Sequence, residues 1–194
     1  MKLQIIVGST RPNRVTLRVA RWVAATARTM QDATVELVDL ADYDLPFLDE
    51  PISPRYNPNR TPNSVAKRWL DKLAEADAFV VVTPEYNRSY SAVLKNAIDY
   101  VDFQMERKPV ALVGHGTAGG AQAIAHLRGV FPGIHAMTVP SATFVMGATS
   151  ILDEEGNLSE AAKANQYGPH VALQQMLDST KWYSDTLAAA RANG

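Results

Sequence analysis

The chain of 194 residues contains no cysteine. Disulfides, thiolate-held zinc, iron–sulfur clusters and a cysteine nucleophile are therefore excluded, and any redox chemistry has to come from a bound cofactor. Neither sign of charge dominates: 19 Lys and Arg stand against 20 Asp and Glu, for a formal net charge of −1. The arginines are scattered among acids, so no field or basic stripe attracts nucleic acid. No apolar run approaches membrane-spanning length, and no charged-then-apolar leader precedes the first strand, so a cytoplasmic protein without membrane attachment is expected. A Gly-x-Ser-x-Gly elbow is also missing, and His115, His126, His135 and His170 lack the spacing of a metal-binding helix.

What is present is an ordinary globular composition, 46% hydrophobic and 20% charged, of a length suited to one well-buried α/β domain over residues 1–194. Five strand-like runs, Leu3 to Val7, Thr34 to Val38, Ala78 to Thr83, Val110 to Gly114 and His135 to Val139, alternate with helical patterns. The helical stretches are Thr16 to Thr29, Ser64 to Glu75, Ser91 to Phe103 and Gly120 to Phe131, with a final helix from Pro169 to Ala192. Val19, Trp22, Val23 and Ala27 mark the buried stripe of the first. Alternation of this kind predicts a doubly wound three-layer sandwich on a parallel sheet, with strand order 2-1-3-4-5. Two segments fall outside the repeat. Leu45 to Pro62 carries Pro46, Pro51, Pro54, Pro58 and Pro62 and reads as a semi-rigid surface loop that is neither helix nor central strand. Met146 to Gly168 is an irregular excursion whose Asp153-Glu154-Glu155-Gly156-Asn157 is a solvated turn, its glycine misplaced for a calcium loop.

In a parallel sheet all loops that follow strands lie on one edge, which gathers three unusual segments. After the first strand, Gly8-Ser9-Thr10-Arg11-Pro12-Asn13-Arg14-Val15-Thr16 offers hydroxyls, two guanidinium groups and the amides of a helix start, an anion cradle suited to a phosphate. After the third comes Pro84-Glu85-Tyr86-Asn87-Arg88-Ser89-Tyr90, and after the fourth Gly114-His115-Gly116-Thr117-Ala118-Gly119-Gly120. With order 2-1-3-4-5 these loops flank the switch point between strands one and three, where one elongated ligand can span them. Its phosphate would lie in the first loop and a flat ring against the other two.

The third loop also spells Gly114-x-Gly116-x-x-Gly119 between a strand and a helix. It is not read as a dinucleotide fingerprint, because that pattern opens the first βαβ unit and needs an acid at the end of the following strand, where Ile134 to Pro140 has none. Gly120-Ala121 also stands where a triphosphate loop needs Lys and a hydroxyl residue.

Taken together, Gly8-Ser9-Thr10-Arg11, Thr83-Pro84-Glu85-Tyr86-Asn87 followed by Leu94-Lys95-Asn96-Ala97-Ile98-Asp99-Tyr100, and Gly114 to Gly120 resemble the NADPH-dependent FMN reductases, a flavodoxin-like family that includes flavin, quinone, azo-dye and metal-ion reductases. The resemblance covers roughly residues 1 to 145. It implies FMN as cofactor and NAD(P)H as donor, with no side-chain nucleophile, since the hard chemistry is the flavin's. By the same resemblance Ser9, Arg11 and the amides of Arg14, Val15 and Thr16 hold the phosphate, and Pro84, Glu85, Tyr86, Asn87, His115, Gly116, Thr117, Gly119 and Gly120 face the isoalloxazine. It places residue 115 close to the ring, where many relatives differ, and sets Lys95, Asn96 and Asp99 near a subunit interface. Tyr100, Val101 and Phe103 are expected to add exposed apolar surface there, making a homodimer or homotetramer. Hydride would pass from NAD(P)H through FMN to a small acceptor, donor and acceptor taking turns at one open ring face bordered by Tyr86, apart from the phosphate anchor. The alternatives are a flavodoxin-type electron carrier, which usually has a strongly acidic docking surface, and a flavin-binding module without turnover.

Overall fold

The computed structural model describes residues 1–193. Strands β1 (Lys2–Val7), β2 (Thr34–Asp39), β3 (Ala78–Pro84), β4 (Pro109–His115) and β5 (Met137–Val145) form one parallel sheet in the order β2-β1-β3-β4-β5. Every residue of β3 and β4 is buried, as a strand covered on both faces requires. Alternation along β1 divides the core: Leu3, Ile5 and Val7 pack with α1 (Val15–Ala27) and the last helix, α7 (Pro169–Ala192), through Val19, Val23, Leu173 and Leu177. Ile6 points to the other side, with Trp69 of α2 (Ser64–Ala74), Leu94 of α3 (Ala92–Asp99) and Leu127 of α4 (Ala121–Val130). The architecture is the flavodoxin-like three-layer sandwich read from the alternation. No helix among the described residues is long and apolar enough to cross a membrane.

Three boundaries differ from the sequence reading. Strand β5 begins at Met137 and continues past Pro140 to Val145. A shift in register after Val110 of β4 absorbs the proline, so Val110 pairs with Thr138 and Leu112 with Ala142. Because β5 is an edge strand, the missing proline N–H does not interrupt a central ladder. Helix α3 stops at Asp99, and Tyr100 and Val101 are buried at 0% and 3% exposure, leaving only Phe103 of the expected apolar trio at the surface. The excursion 146–168 contains two short helices, α5 (Ala148–Ile151) and α6 (Glu160–Ala164). Its acidic turn is closed by Asp153, whose carboxylate accepts from the Asn157 amide at 2.7 Å and side chain at 2.8 Å. Gly156 packs against α1, where a Cβ would come within 2.7 Å of the Arg18 carbonyl, so the turn is docked on the helix instead of being wholly solvated.

The proline-rich loop contains one short 3-10 turn, Pro54–Tyr56, and is pinned along its length. Asn96 of α3 donates to the Pro46 carbonyl at 2.7 Å and accepts from the Leu48 amide at 3.1 Å, while the Tyr100 hydroxyl also reaches Pro46. Further on, Arg60 binds Glu50 and Asp102, and Arg55 binds Glu106 and the Asp102 carbonyl. Lys95 and Asp99 pair with one another on the outer face of α3.

Candidate functional site

The register places Thr83 beside Gly114 and Pro84 beside His115, so β3 and β4 end at the same level next to the end of β1. The three loops expected to converge therefore do so. Gly8 permits the approach, since a Cβ there would come within 2.7 Å of the Val82 carbonyl, to which Gly8 N–H donates at 2.8 Å.

Between the loops lies a cavity of about 370 Å³ walled by Arg11 to Thr16, Tyr86 and His115. The start of α1 opens onto it with no side-chain cap and no acid in the first turn, leaving amide donors and the positive end of the helix dipole for a ligand. Arg11 is exposed, and its guanidinium has no ion-pair partner among the described residues. Arg14 differs from the sequence reading: its guanidinium is paired with Asp39 at the end of β2, both side chains largely buried at 15% and 16% exposure. Asp39 cancels that charge, so Arg11 is the cradle's uncompensated cation and Arg14 contributes its backbone. Ser9 also sits behind the wall. Its hydroxyl accepts weakly from the Arg11 amide at 3.4 Å and shares a hydrogen bond with the Tyr86 hydroxyl at 3.2 Å, bracing the loop from inside. Tyr86 is thus coupled to the cradle and not spatially separate from it.

The loop after β3 is a tight reversal. Tyr86 and Ser89 exchange backbone hydrogen bonds of 2.8 and 3.0 Å, and Asn87 and Arg88 between them have φ of 49° and 68°, the two positive angles of a type I′ turn. An arginine in that region stores backbone strain at the mouth of the site. Glu85 does not turn its carboxylate to a ring: it accepts from the Gln122 amide at 2.9 Å and caps the start of α4, while its own amide donates to the His115 carbonyl.

The glycines after β4 serve two different purposes. Gly119 and Gly120 are buried, and a Cβ on Gly120 would come within 2.6 Å of Gly114 Cα and the His115 nitrogen. One on Gly119 would come within 2.9 Å of Phe144 Cβ. Their lack of side chains lets the loop close on the end of β4 at Gly120 and on β5 at Gly119, so both lie inside the loop, behind its exposed tip. Gly116 is half-buried and Thr117 and Ala118 are exposed, so this tip is what the loop offers to a ligand.

His115 is buried and its Nε2 lies 2.8 Å from Thr16 Oγ1, itself fully buried. Burial pushes its pKa down to about 4 from the ordinary 6.5, so the ring is neutral at physiological pH. The imidazole separates the cradle from a second cavity of about 430 Å³ reached by Val15, Gly116, Thr117 and residues 147–149. Its polar contact is on the phosphate side, not with the ring-facing loop. The Arg14–Asp39, Glu85–Gln122 and His115–Thr16 pairs join residues 25, 37 and 99 positions apart. No local sequence pattern signals them.

An open anion cradle at a helix start, an exposed cation beside it and a flat-ligand surface on the adjoining loops fit a flavin mononucleotide. The family model for NADPH-dependent FMN reductase matches residues 1–150. An NAD(P)H-dependent FMN reductase of Schizosaccharomyces pombe is 34% identical over 172 residues, 84% of this chain and 86% of the relative. A 2-hydroxy-1,4-benzoquinone reductase of a Burkholderia species is 31% identical over 174 residues, 81% and 85% of the two chains. Among solved structures, the flavoenzyme NAD(P)H:(acceptor) oxidoreductase FerB of Paracoccus denitrificans superposes with a TM-score of 0.72 at 23% identity, over 94% of this chain and 98% of that one.

Proposed function

The chain belongs to the NADPH-dependent FMN reductase family, and on that premise we propose that residues 1–194 form one FMN-binding unit that reduces a small acceptor, a quinone, azo compound, free flavin or metal ion, with electrons from NAD(P)H. The observation that carries the reading is the cradle: uncapped amides of α1, Thr16 and an Arg11 with no ion-pair partner among the described residues, around one compact cavity. When bound, FMN supplies the redox chemistry, accepting hydride from the donor and delivering it to the acceptor. The chain's own residues then have three tasks. Arg11, Thr16 and the α1 amides fix the phosphate. The Tyr86–Ser89 turn and the Gly116–Ala118 tip confine the ring from two sides. Glu85, by capping α4 and bonding to β4, holds those two loops at a fixed separation. Self-association as a homodimer or homotetramer is part of this reading, with exposed Phe47, Val93 and Phe103 beside the α3 face.

Replacing Arg11 with Ala is expected to weaken FMN binding by ~1.5–3 kcal/mol, the range for a hydrogen bond to a charged group, without loss of fold. Flavin fluorescence titration measures it, and unchanged affinity would remove the phosphate assignment. Donor and acceptor share one open ring face in this arrangement, so initial rates over a grid of NADPH and quinone concentrations are expected to give parallel reciprocal plots. Intersecting lines would mean that both substrates bind together.

A further inference from the structure

We propose that His115 is a positioning residue for the flavin phosphate: by donating from Nε2 to Thr16 Oγ1 it leaves the Thr16 hydroxyl hydrogen free to donate into the cradle. The inference deepens the FMN reading and rests on it. The geometry is specific. The two atoms are 2.8 Å apart, both residues are buried, and both line the cradle cavity beside the uncapped start of α1.

A neutral imidazole carries one N–H, and a hydroxyl carries one hydrogen. Two arrangements of the pair follow. If Thr16 donates to His115, the hydroxyl presents only lone pairs to the cavity and repels an anion. If His115 donates to Thr16, the hydroxyl hydrogen turns outward and adds a donor to the amides of α1. A phosphate in the cradle selects the second arrangement, and with it the Nε2–H tautomer. Depression of the His115 pKa by burial keeps a proton-poor ring available for this choice. The other charged groups near the cradle do not replace the device: Arg14 is committed to Asp39, and Arg11 lies on the exposed rim.

A role through Thr16 predicts dependence on the phosphate and not on the ring, and riboflavin, which has the ring without the phosphate, separates the two. The experiment measures FMN and riboflavin affinities by fluorescence titration for the full chain, His115→Val, His115→Gln, Thr16→Val and the His115→Val/Thr16→Val pair. His115→Val is expected to weaken FMN severalfold and to leave riboflavin unchanged, because the Thr16 hydroxyl keeps its hydrogen and loses only the donor that orients it, whereas Thr16→Val, which removes the hydrogen bond itself, should weaken FMN about tenfold or more. The double variant should bind FMN no worse than Thr16→Val alone, because the histidine acts only through the hydroxyl. His115→Gln, whose amide can donate to Thr16, should recover part of the loss. Nitrogen-15 spectra of the FMN-loaded wild-type protein should show the Nε2–H tautomer, a result that does not depend on any variant folding.

A His115→Val loss shared equally by FMN and riboflavin, or losses that multiply in the double variant, would overturn the inference and leave the FMN reading standing. An Nδ1–H tautomer in the loaded protein would overturn it as well. A wild-type protein that binds riboflavin as tightly as FMN would overturn the phosphate cradle itself, and this inference with it.

Discussion

Gly120→Ala is expected to lower stability by ~3 kcal/mol and to abolish measurable flavin binding, from steric overlap and an unfavourable backbone angle acting together. Gly120 has φ of 81°, and its Cβ would come within 2.6 Å of Gly114 Cα and the His115 nitrogen. Both neighbours are backbone, so no side chain can rotate away to make room. Relief requires the loop to lift from the end of β4, which displaces the Gly116–Ala118 tip from the site. Gly129 is the matching control. It lies within α4 with no heavy atom near its added Cβ, so Gly129→Ala should raise stability by ~0.5–1 kcal/mol through helix propensity. Urea midpoints and flavin titrations on the two variants measure the contrast. A Gly120→Ala protein with wild-type affinity would show that the loop has room that the packing denies.

Arg60→Ala is expected to cost ~3 kcal/mol while leaving flavin affinity close to that of wild type. The Arg60 side chain is only 6% exposed and holds Glu50 and Asp102, themselves 14% and 17% exposed. Removing the cation leaves two largely buried carboxylates facing one another without compensation, which is worse than losing a surface ion pair. Arg60→Lys should recover only part of the loss, because an ammonium cannot make the forked contact to both acids. Equilibrium unfolding gives the magnitude, and limited proteolysis within residues 45–62 locates it. No residue of that segment walls the cradle, so a parallel loss of flavin affinity would contradict the separation of the two regions.

The inner strands β1, β3 and β4 are readable because they are short apolar runs with a Gly or Pro at or next to an end. The same rule failed at β5: Pro140 reads as a stop in one dimension, yet an edge strand absorbs it by a shift in register. Tyr100 reads as spare apolar surface because the sequence does not show that the proline-rich loop folds back to it, with the Tyr100 hydroxyl bonded to Pro46. At the site, residue types identified the correct loops without identifying the occupation of each side chain. Arg14 and Glu85 are charged groups next to a phosphate-like cradle, and each is committed to a distant partner, Asp39 or the α4 start. The glycines of the third loop were legible as a close backbone approach, but the approaching backbone belongs to the loop itself.

The irregular course of β5 has a bearing on how copies of the chain can meet. An outer strand with a regular row of free N–H and C=O groups is a template on which another chain can add a strand, and repeated addition leads to aggregation. Here the outer strand carries Pro140, which has no N–H to offer, within the stretch where the pairing slips. At the opposite margin β2 brings Glu36 and Asp39, held by Lys72 and Arg14, and charged side chains along a margin oppose recruitment of a further strand. Both margins of the five-stranded sheet thus oppose addition of a further strand, which directs any contact between copies toward helix and loop surfaces.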